Sequence, residues 1–330
     1  MLAARLHGKG DLRVERIPPP DGPGPHEVRM QVRAAGICGS DLLNYRTGRW
    51  ITRAPSTPGH EFAGEVVSVG AAVQGLVPGD RVVADSRFWC GTCPACVAGR
   101  HHLCNQLGFV GEVCDGGFAE EVVIPARLLM KHDHSLASEV AATAEPLAVA
   151  LHAVARLAPG PEDTVLVTGS GMIGALSALL LAQVPGRSVL IADRNAQRAG
   201  RVAEATGGRV VDIVAATLSA VSGVIEATGS AALLSALPGL LPGGARIAMV
   251  GIYHGAFDLD PTILVEREIS LTGCHAFTDE LPEALALLPQ LSGAISSYLD
   301  MSSGIADVPV AYERIIKGQS PWPKTIIRCS

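Results

Sequence analysis

The chain has 330 residues, 48% of them hydrophobic and 18% charged, and its formal net charge is −6. This length exceeds a comfortable single domain and the composition excludes extensive disorder, so we expect two packed domains. No basic block suggests a nucleic-acid partner, and the most apolar stretch, residues 175–184, is too short to span a bilayer. The N-terminus lacks the apolar region of a secretion signal. We therefore expect a cytoplasmic protein with a small-molecule partner, and neither nucleic acid nor membrane.

The first part of the chain, residues 1–147, has the pattern of a β-rich domain. Short apolar or alternating runs are separated by Gly and Pro turns. The predicted strands cover 27–34, 65–69, 81–84 and 119–124.

The pattern changes near residue 164, where the strand TVLVT is followed by a Gly-rich turn and a helical run. Strands alternating with helices predict a doubly wound parallel sheet and hence an α/β chain. The further predicted elements are strands at 188–192, 209–212, 223–227 and 246–250 and helices at 196–206 and 280–288. The segment between 212 and 223 is short for a crossover helix, and none is assigned there.

Four cysteines crowd into one short segment as C-x2-C-x2-C-x7-C. Four thiolates close a tetrahedral zinc site and leave no open position, so this zinc is expected to be structural. An iron–sulfur cluster and four free thiols are the weaker alternatives. The predicted ligands are Cys90, Cys93, Cys96 and Cys104.

A second group of metal-ligand residue types is spread along the first part of the chain. Cys38 lies in the run GICGSD, and His60 and Glu61 lie in PGHEFAGEVVSVG. Glu145 is a lone carboxylate in the apolar run AATAEPLAVA, where burial without a partner would be costly. We predict a catalytic zinc bound by Cys38, His60 and Glu145, with Asp41 orienting the imidazole. Glu61 is the second choice for the carboxylate ligand, because it is adjacent to His60 and neighbouring residues on a strand point to opposite sides.

Each member of this second group also has a simpler interpretation. Cys38 could be a core residue and His60 a structural histidine. Glu145 could cap a helix, since Pro146 follows it at a position that proline favours. The metal interpretation is favoured because all three residue types occur together in a chain that also has the four-cysteine lobe.

The run GSGMIG carries a G-x-G-x-x-G fingerprint directly after a predicted strand and at the start of a helix. This context predicts a dinucleotide whose pyrophosphate lies at the helix N-terminus. Asp193 ends the second strand, where a carboxylate can accept ribose hydroxyls and would repel a 2′-phosphate, which favours NAD. Arg194 and Arg198 leave a phosphate, and so NADP, as an alternative. The predicted cofactor residues are Gly169, Gly171, Met172, Ile173, Gly174, Asp193, Arg194 and Arg198.

These three constellations, in this order, resemble the zinc-containing medium-chain alcohol dehydrogenase family over essentially the whole chain. The resemblance implies a GroES-like catalytic domain at 1–147 and 276–330, with a structural zinc lobe at about 88–106. It implies a Rossmann NAD-binding domain at 148–275, two zinc ions per chain, and a homodimer or homotetramer.

Within the family, AEPLAVALHAV resembles the polyol branch, in which Glu replaces a second Cys ligand. EREISLTGCHAFTDELPEALALL is most similar to L-idonate 5-dehydrogenases. We therefore expect NAD-linked oxidation of a secondary hydroxyl in a polyol or an L-idonate-like sugar acid. Alternatives are sorbitol, xylitol or aminocyclitol oxidation, an NADP-linked or zinc-free reductase, and a non-catalytic nucleotide-binding protein.

Ser40 is expected to take the proton of the substrate hydroxyl. In relatives this proton then reaches a His five residues after the Cys of the first turn, but Leu43 stands at that position here. The polyol branch often has an aromatic residue where this chain has Asn44. It often has an Arg where this chain has Ala276, beside His275. The proton is expected to leave through water or through His275.

Overall fold

The protein is described by a computed structural model covering residues 1–253 and 255–329. The chain divides into two compact units. Unit 1 comprises Met1–Glu145, Leu281–Ser320 and the tail from Lys324, and unit 2 comprises Pro146–Glu280 with Pro321–Pro323.

The strands of the described residues alternate with turns in unit 1 and with helices in unit 2. They are β1 (Leu2–Gly8), β2 (Asp11–Arg16), β3 (Glu27–Gly36), β4 (Glu61–Val69), β5 (Arg81–Ala84), β6 (Arg87–Phe88), β7 (Gly108–Phe109), β8 (Glu121–Pro125), β9 (Leu129–Lys131), β10 (Thr164–Thr168), β11 (Ser188–Ala192), β12 (Arg209–Val210), β13 (Val221–Glu226), β14 (Arg246–Met249), β15 (Ser270–Gly273), β16 (Leu299–Gly304) and β17 (Lys324–Arg328).

The α-helices are α1 (Gly39–Thr47), α2 (Pro94–Val97), α3 (Ser138–Ala141), α4 (Ala144–Leu157), α5 (Met172–Ala182), α6 (Ala196–Thr206), α7 (Ala231–Leu240), α8 (Pro261–Arg267), α9 (Leu281–Ser296) and α10 (Val308–Ile316). Short 3-10 helices lie at His101–Leu103, Ala126–Leu128 and Ile305–Asp307.

Unit 1 is built on a seven-stranded sheet with the order β16-β17-β3-β4-β5-β9, in which β8 also pairs with β3. Alternation along β3 buries Val28, Met30 and Val32 completely on the core side, as the period of a strand requires. Phe62 of β4 packs into the same core. The start of β4 lies beside the end of β3, in a register that pairs Gly36 with Glu61.

Unit 2 is a six-stranded parallel sheet with the order β12-β11-β10-β13-β14-β15. This is the order of a dinucleotide-binding doubly wound fold, with the switch point between β10 and β13. Its central strands bury Leu166, Val224 and Ile247 completely, because helices cover both faces of such a sheet. The α/β prediction of a β-rich domain plus a parallel-sheet domain is confirmed.

Several element boundaries differ from the sequence prediction. The helix predicted at 280–288 continues through Pro289 to Ser296, because Leu291 and Ile295 extend its buried stripe. β4 begins at Glu61, four positions before the predicted start at 65. Residues 211–220, between β12 and β13, form turns and bends without a helix, as the short segment suggested.

One helical segment of the described residues, Ser138–Leu157, is long and apolar enough to cross a membrane by length and composition alone. However, 72% of its most apolar window is buried inside the protein. This burial is the pattern of a core helix.

Candidate active site and metal centres

The four crowded cysteines converge on one point of unit 1. The Sγ atoms of Cys90, Cys93, Cys96 and Cys104 all lie within 4.8 Å of one another. Cys93 caps α2 and Cys96 lies inside it, while Cys104 follows the 3-10 helix His101–Leu103. Gly91, with a φ of 77°, allows the loop after Cys90 to turn back.

The spacing of these sulfur atoms fits a tetrahedral zinc ion. Cys90 Sγ lies 3.5 Å from Cys104 Sγ and 3.9 Å from Cys96 Sγ, and a tetrahedron with Zn–S bonds of about 2.3 Å has edges of about 3.8 Å. Hydrogen bonds from the backbone N–H groups of Thr92 and Cys93 lower the pKa of Cys90 to about 6. Burial raises the pKa of Cys96 to about 12, so this thiol in particular needs a cation to ionise.

A cluster of aromatic and cationic side chains supports the four-cysteine lobe. Sequence reasoning did not predict this cluster. The rings of Trp89 and His101 stack at 4.5 Å, and the Arg127 guanidinium carbon lies 4.4 Å from the Trp89 ring centroid. Arg127 also donates a hydrogen bond of 3.2 Å to the Trp89 carbonyl. These contacts hold the chain on either side of Cys90 in place.

The second group gathers around His60. Cys38 is the N-cap of α1, and its backbone N–H donates to Asp41 Oδ2 at 2.9 Å. The other oxygen of Asp41 lies 3.5 Å from His60 Nδ1. Asp41 therefore positions both residues, and it leaves Nε2 of His60 as the ring nitrogen available to a metal.

Glu61 is the carboxylate that the structure places with Cys38 and His60, all three ligand atoms lying within 4.8 Å of one another. Its carboxylate is completely buried in an ion pair with Lys324, which also donates to the Ile37 carbonyl at 3.0 Å. A Cβ at position 36 would lie 2.4 Å from Glu61 Oε2, so only the glycine found there admits this carboxylate.

Glu145 lies in the same buried region but outside that group of three. Its Oε1 accepts a hydrogen bond of 2.6 Å from Ser86 Oγ. Burial raises the pKa of Glu145 to about 7, His60 lowers it and Glu61 raises it, so the three side chains interact electrostatically. Sequence reasoning did not identify Ser86 as the hydrogen-bond partner of Glu145.

The side chains of this region fit a divalent cation. Among the described residues, the carboxyl groups of Asp41, Glu61 and Glu145 and the Cys38 thiol group lie around the His60 imidazole and the Lys324 ammonium group. Burial acts to lower the pKa of His60, but Asp41 and Cys38 outweigh it and raise this pKa well above its ordinary value. The site therefore gathers buried carboxyl groups around nitrogen and sulfur donors of the types that zinc prefers.

The other residues predicted near this site have separate roles. Ser40 lies in the first turn of α1, partly exposed, and its hydroxyl makes no hydrogen bond to residues 1–253 or 255–329. Leu43 is buried in the core. Asn44 Oδ1 accepts a hydrogen bond of 2.8 Å from the Trp50 backbone N–H, which holds the loop after α1.

The glycine fingerprint in unit 2 has the geometry of a phosphate-binding turn. Gly169 has a φ of 91°, and a Cβ on Gly174 would lie 1.8 Å from the Gly169 carbonyl oxygen. Gly171 caps α5, where Met172 and Ile173 form the first turn, and a Cβ on Gly171 would meet nothing within 4 Å. The space over this helix N-terminus is therefore open to a ligand.

Ser170, between the first two glycines, carries a buried Oγ without a hydrogen-bond partner among the described residues. Its backbone N–H donates to Asp193 Oδ2 at 2.5 Å. Asp193 Oδ1 accepts from Asn195 N at 2.7 Å and from Arg198 Nη2 at 3.2 Å. Arg194 is exposed. The predicted cofactor residues thus lie together at the carboxyl ends of β10 and β11. The Ser170 hydroxyl, which lacks a partner among the described residues, is placed to donate a hydrogen bond to a pyrophosphate.

Glu226 is a buried carboxylate of unit 2 that sequence reasoning missed. It lies at the carboxyl end of β13 and accepts hydrogen bonds from the Thr228 and Gly229 N–H groups at 2.8 and 3.3 Å. The Tyr253 and Thr228 hydroxyls also donate to it. Glu226 therefore ties together the loops after β13 and β14. The strands predicted at 223–227 and 246–250 cover this region, but they did not indicate this role for Glu226.

Comparison with protein families places the first unit in a known group. Residues 24–134 match the alcohol dehydrogenase GroES-like domain. A sorbitol dehydrogenase from Arabidopsis thaliana is 31% identical over 305 residues, covering 87% of this chain and 84% of that protein. An L-threonine 3-dehydrogenase from Anaeromyxobacter sp. (strain Fw109-5) is 34% identical over 287 residues, covering 83% of each. An L-idonate 5-dehydrogenase from Vitis vinifera is 29% identical, covering 87% and 83%.

Solved structures are similar over nearly the full length of both units. The 2R,3R-butanediol dehydrogenase from Bacillus subtilis has a TM-score of 0.89 and 29% identity, covering 100% of this chain and 99% of that one. A zinc-binding dehydrogenase from Sinorhizobium meliloti, bound to NADP, also has a TM-score of 0.89 and 29% identity, covering 99% and 98%.

These similarities extend over the β-rich unit and the parallel-sheet unit alike. The polyol resemblance is confirmed as far as the relatives include sorbitol and L-idonate dehydrogenases, but L-threonine 3-dehydrogenases are also among them. The chain belongs to the zinc-dependent medium-chain alcohol dehydrogenase family, whose members bind NAD(P).

Proposed function

We propose that this chain is an NAD-linked dehydrogenase that oxidises a secondary hydroxyl of a polyol or sugar acid at a zinc site in unit 1. The observation that carries this proposal is the group formed by Cys38, His60 and Glu61, with the buried carboxyl group of Glu145 in the same region. Burying carboxyl groups is costly unless a partner such as a cation compensates them. Relatives named for sorbitol and L-idonate support the substrate class.

Cys38, His60 and Glu145 are the proposed ligands of the catalytic zinc. Glu61 already has the ammonium group of Lys324 as its counter-ion, whereas among the described residues Glu145 accepts a hydrogen bond only from the Ser86 hydroxyl, through Oε1. The second oxygen of Glu145 is therefore the better donor for a metal. Glu61 is the alternative carboxylate, since its ligand atom lies nearer to the other two.

The residues around this set define the chemistry. Zinc, when bound, supplies a Lewis acid that lowers the pKa of a coordinated hydroxyl. Asp41 holds the His60 ring, and Lys324 keeps Glu61 in place. Ser40 presents a hydroxyl that has no hydrogen-bond partner within the described part of the chain. It can accept the substrate proton while its own proton passes to water, which suits a chain with Leu43 in place of a histidine.

NAD is the proposed cofactor, and it supplies the hydride acceptor. Asp193 lies at the end of β11 next to the glycine turn, with its carboxylate fixed by two backbone N–H groups and Arg198. A fixed negative charge there disfavours a 2′-phosphate. NADP is the alternative, because Arg194 and Arg198 are close by and a structural neighbour is bound to NADP.

A second candidate substrate is L-threonine, which also carries a secondary hydroxyl. It is favoured by relatives named L-threonine 3-dehydrogenase at 34% identity. Both candidates are tested by following NAD(P) reduction with a panel of polyols, aldonic acids, aminocyclitols and L-threonine, with and without a chelator. Turnover of simple primary alcohols in preference to the whole panel would contradict the proposal.

A further inference from the structure

A cavity of about 380 Å³ lies at the amino-terminal edge of the parallel sheet in unit 2. The first residues of four strands line it, namely Thr164 of β10, Ser188 of β11, Arg209 of β12 and Val221 of β13. The glycine turn and Asp193 follow the opposite, carboxyl ends of β10 and β11. The cavity is therefore separate from the proposed cofactor site, and its volume lies in the range of small-molecule sites.

Two arginines give this cavity a positive lining. Arg187 is held in place, since its Nε and Nη2 donate to the carbonyls of Gly160 and Pro159 at 3.0 and 2.9 Å. Arg209 is exposed, and its guanidinium has no hydrogen bond or ion pair within the described part of the chain. None of the described residues that line the cavity is an Asp or a Glu. The lining therefore carries positive charge that no carboxylate of its own neutralises.

The ends of two helices add hydrogen-bond acceptors to the cavity. Ala182, the last residue of α5, and Thr206, the last residue of α6, both line it. The last carbonyl groups of a helix have no partner inside the helix, and of these the Val202 carbonyl accepts from the Thr206 hydroxyl at 2.7 Å. Each helix end contributes a charge of only about −0.5, so the two guanidinium groups outweigh both ends together.

Hydroxyl groups complete the lining. The Thr217 hydroxyl has no hydrogen-bond partner among the residues that the structure describes. The Thr206 hydroxyl accepts from the Gly208 N–H at 3.1 Å in addition to its bond to Val202. The cavity thus combines cationic donors, neutral hydroxyls and carbonyl acceptors. This combination is complementary to a molecule that carries both an anionic group and hydroxyl groups.

We propose that this cavity is a second ligand site, which binds a phosphate monoester that carries hydroxyl groups. A phosphate monoester has a charge of about −1.5 to −2 at neutral pH, which matches two guanidinium groups better than a single carboxylate does. Its hydroxyls can donate to the helix-end carbonyls. The inference goes beyond the proposed function, since the cavity contains neither the proposed zinc ligands nor the proposed cofactor residues.

Calorimetric titration of the full chain with glycerol 2-phosphate, glycerol and inorganic phosphate tests the inference. NADH is kept at saturation, so that the phosphate group cannot bind at the glycine turn and no alcohol is oxidised. Glycerol 2-phosphate is expected to bind at one site per chain and more tightly than the other two compounds. Arg209→Gln is expected to weaken this binding about tenfold, through loss of a charge-assisted hydrogen bond, and to leave the affinity for NADH unchanged.

Arg267→Gln is the matched control, because Arg267 is an exposed arginine of the same unit that does not line the cavity. Ala220→Trp fills the cavity from an exposed position without removing a charge, and it should also weaken the binding of glycerol 2-phosphate. Equal affinity in Arg209→Gln and the wild type would overturn the inference. So would tighter binding of inorganic phosphate than of the monoester, or binding that disappears when NADH is added.

Discussion

Replacing Asp193 with Ser should move the cofactor preference from NAD toward NADP. The carboxylate is fixed by hydrogen bonds from Ser170 N at 2.5 Å, Asn195 N at 2.7 Å and Arg198 at 3.2 Å. Its side chain is only 7% exposed. It cannot turn away from an incoming phosphate, and little water is present to screen it.

The size of the effect follows from this geometry. Two unit charges about 4 Å apart repel by about 4 kcal/mol at an effective dielectric constant of about 20. Since about 1.4 kcal/mol corresponds to a factor of ten, removing the charge should change the NADP-to-NAD ratio of kcat/KM by about 10² to 10³. Loss of Asp193 also frees Arg198 to bind the phosphate.

The assay compares kcat/KM for the two cofactors at one saturating substrate concentration. Asp258→Ser is the matched control, because Asp258 is an exposed carboxylate of the same unit. A wild type that already prefers NADP, or an Asp193→Ser variant with an unchanged ratio, would refute the reasoning.

Two further predictions concern stability. Cys93→Ser should lose one zinc per chain and unfold at a lower temperature, because a structural site contributes folding free energy; unchanged metal content by mass spectrometry would contradict the assignment. For Glu280, burial acts to raise the pKa, but the hydrogen bond with His152 and other contacts outweigh it and lower this pKa. Its stabilising contribution should be complete above the unfolded value of about 4.5 and be lost as pH falls below it. Glu280→Gln should therefore flatten the acid side of the stability profile measured by urea unfolding.

Local patterns made much of this molecule predictable. The strand–glycine turn–helix unit around Gly169 depends on residues adjacent in sequence, so the period of the apolar residues and the glycine spacing were enough to predict it. The same holds for the four-cysteine lobe, whose ligands lie between Cys90 and Cys104. Both features are found where the sequence placed them.

Pairings between distant segments could not be predicted in this way. Lys324 reaches Glu61 only because β17 pairs with β3 at the edge where β4 begins. Ser86 reaches Glu145 through tertiary packing, and Glu226 is satisfied by loops after two different strands. In each case the sequence shows a polar residue in an apolar context, but the partner depends on the topology of the sheet.

The central claim is that Glu145 completes a catalytic zinc site with Cys38 and His60. The most direct test is to measure zinc per chain, NAD binding and turnover together in Glu145→Ala and in the wild type. The account predicts two zinc ions in the wild type, and one zinc, intact NAD binding and no turnover in the variant. Two zinc ions and full activity in Glu145→Ala would contradict it and would favour Glu61 as the carboxylate ligand.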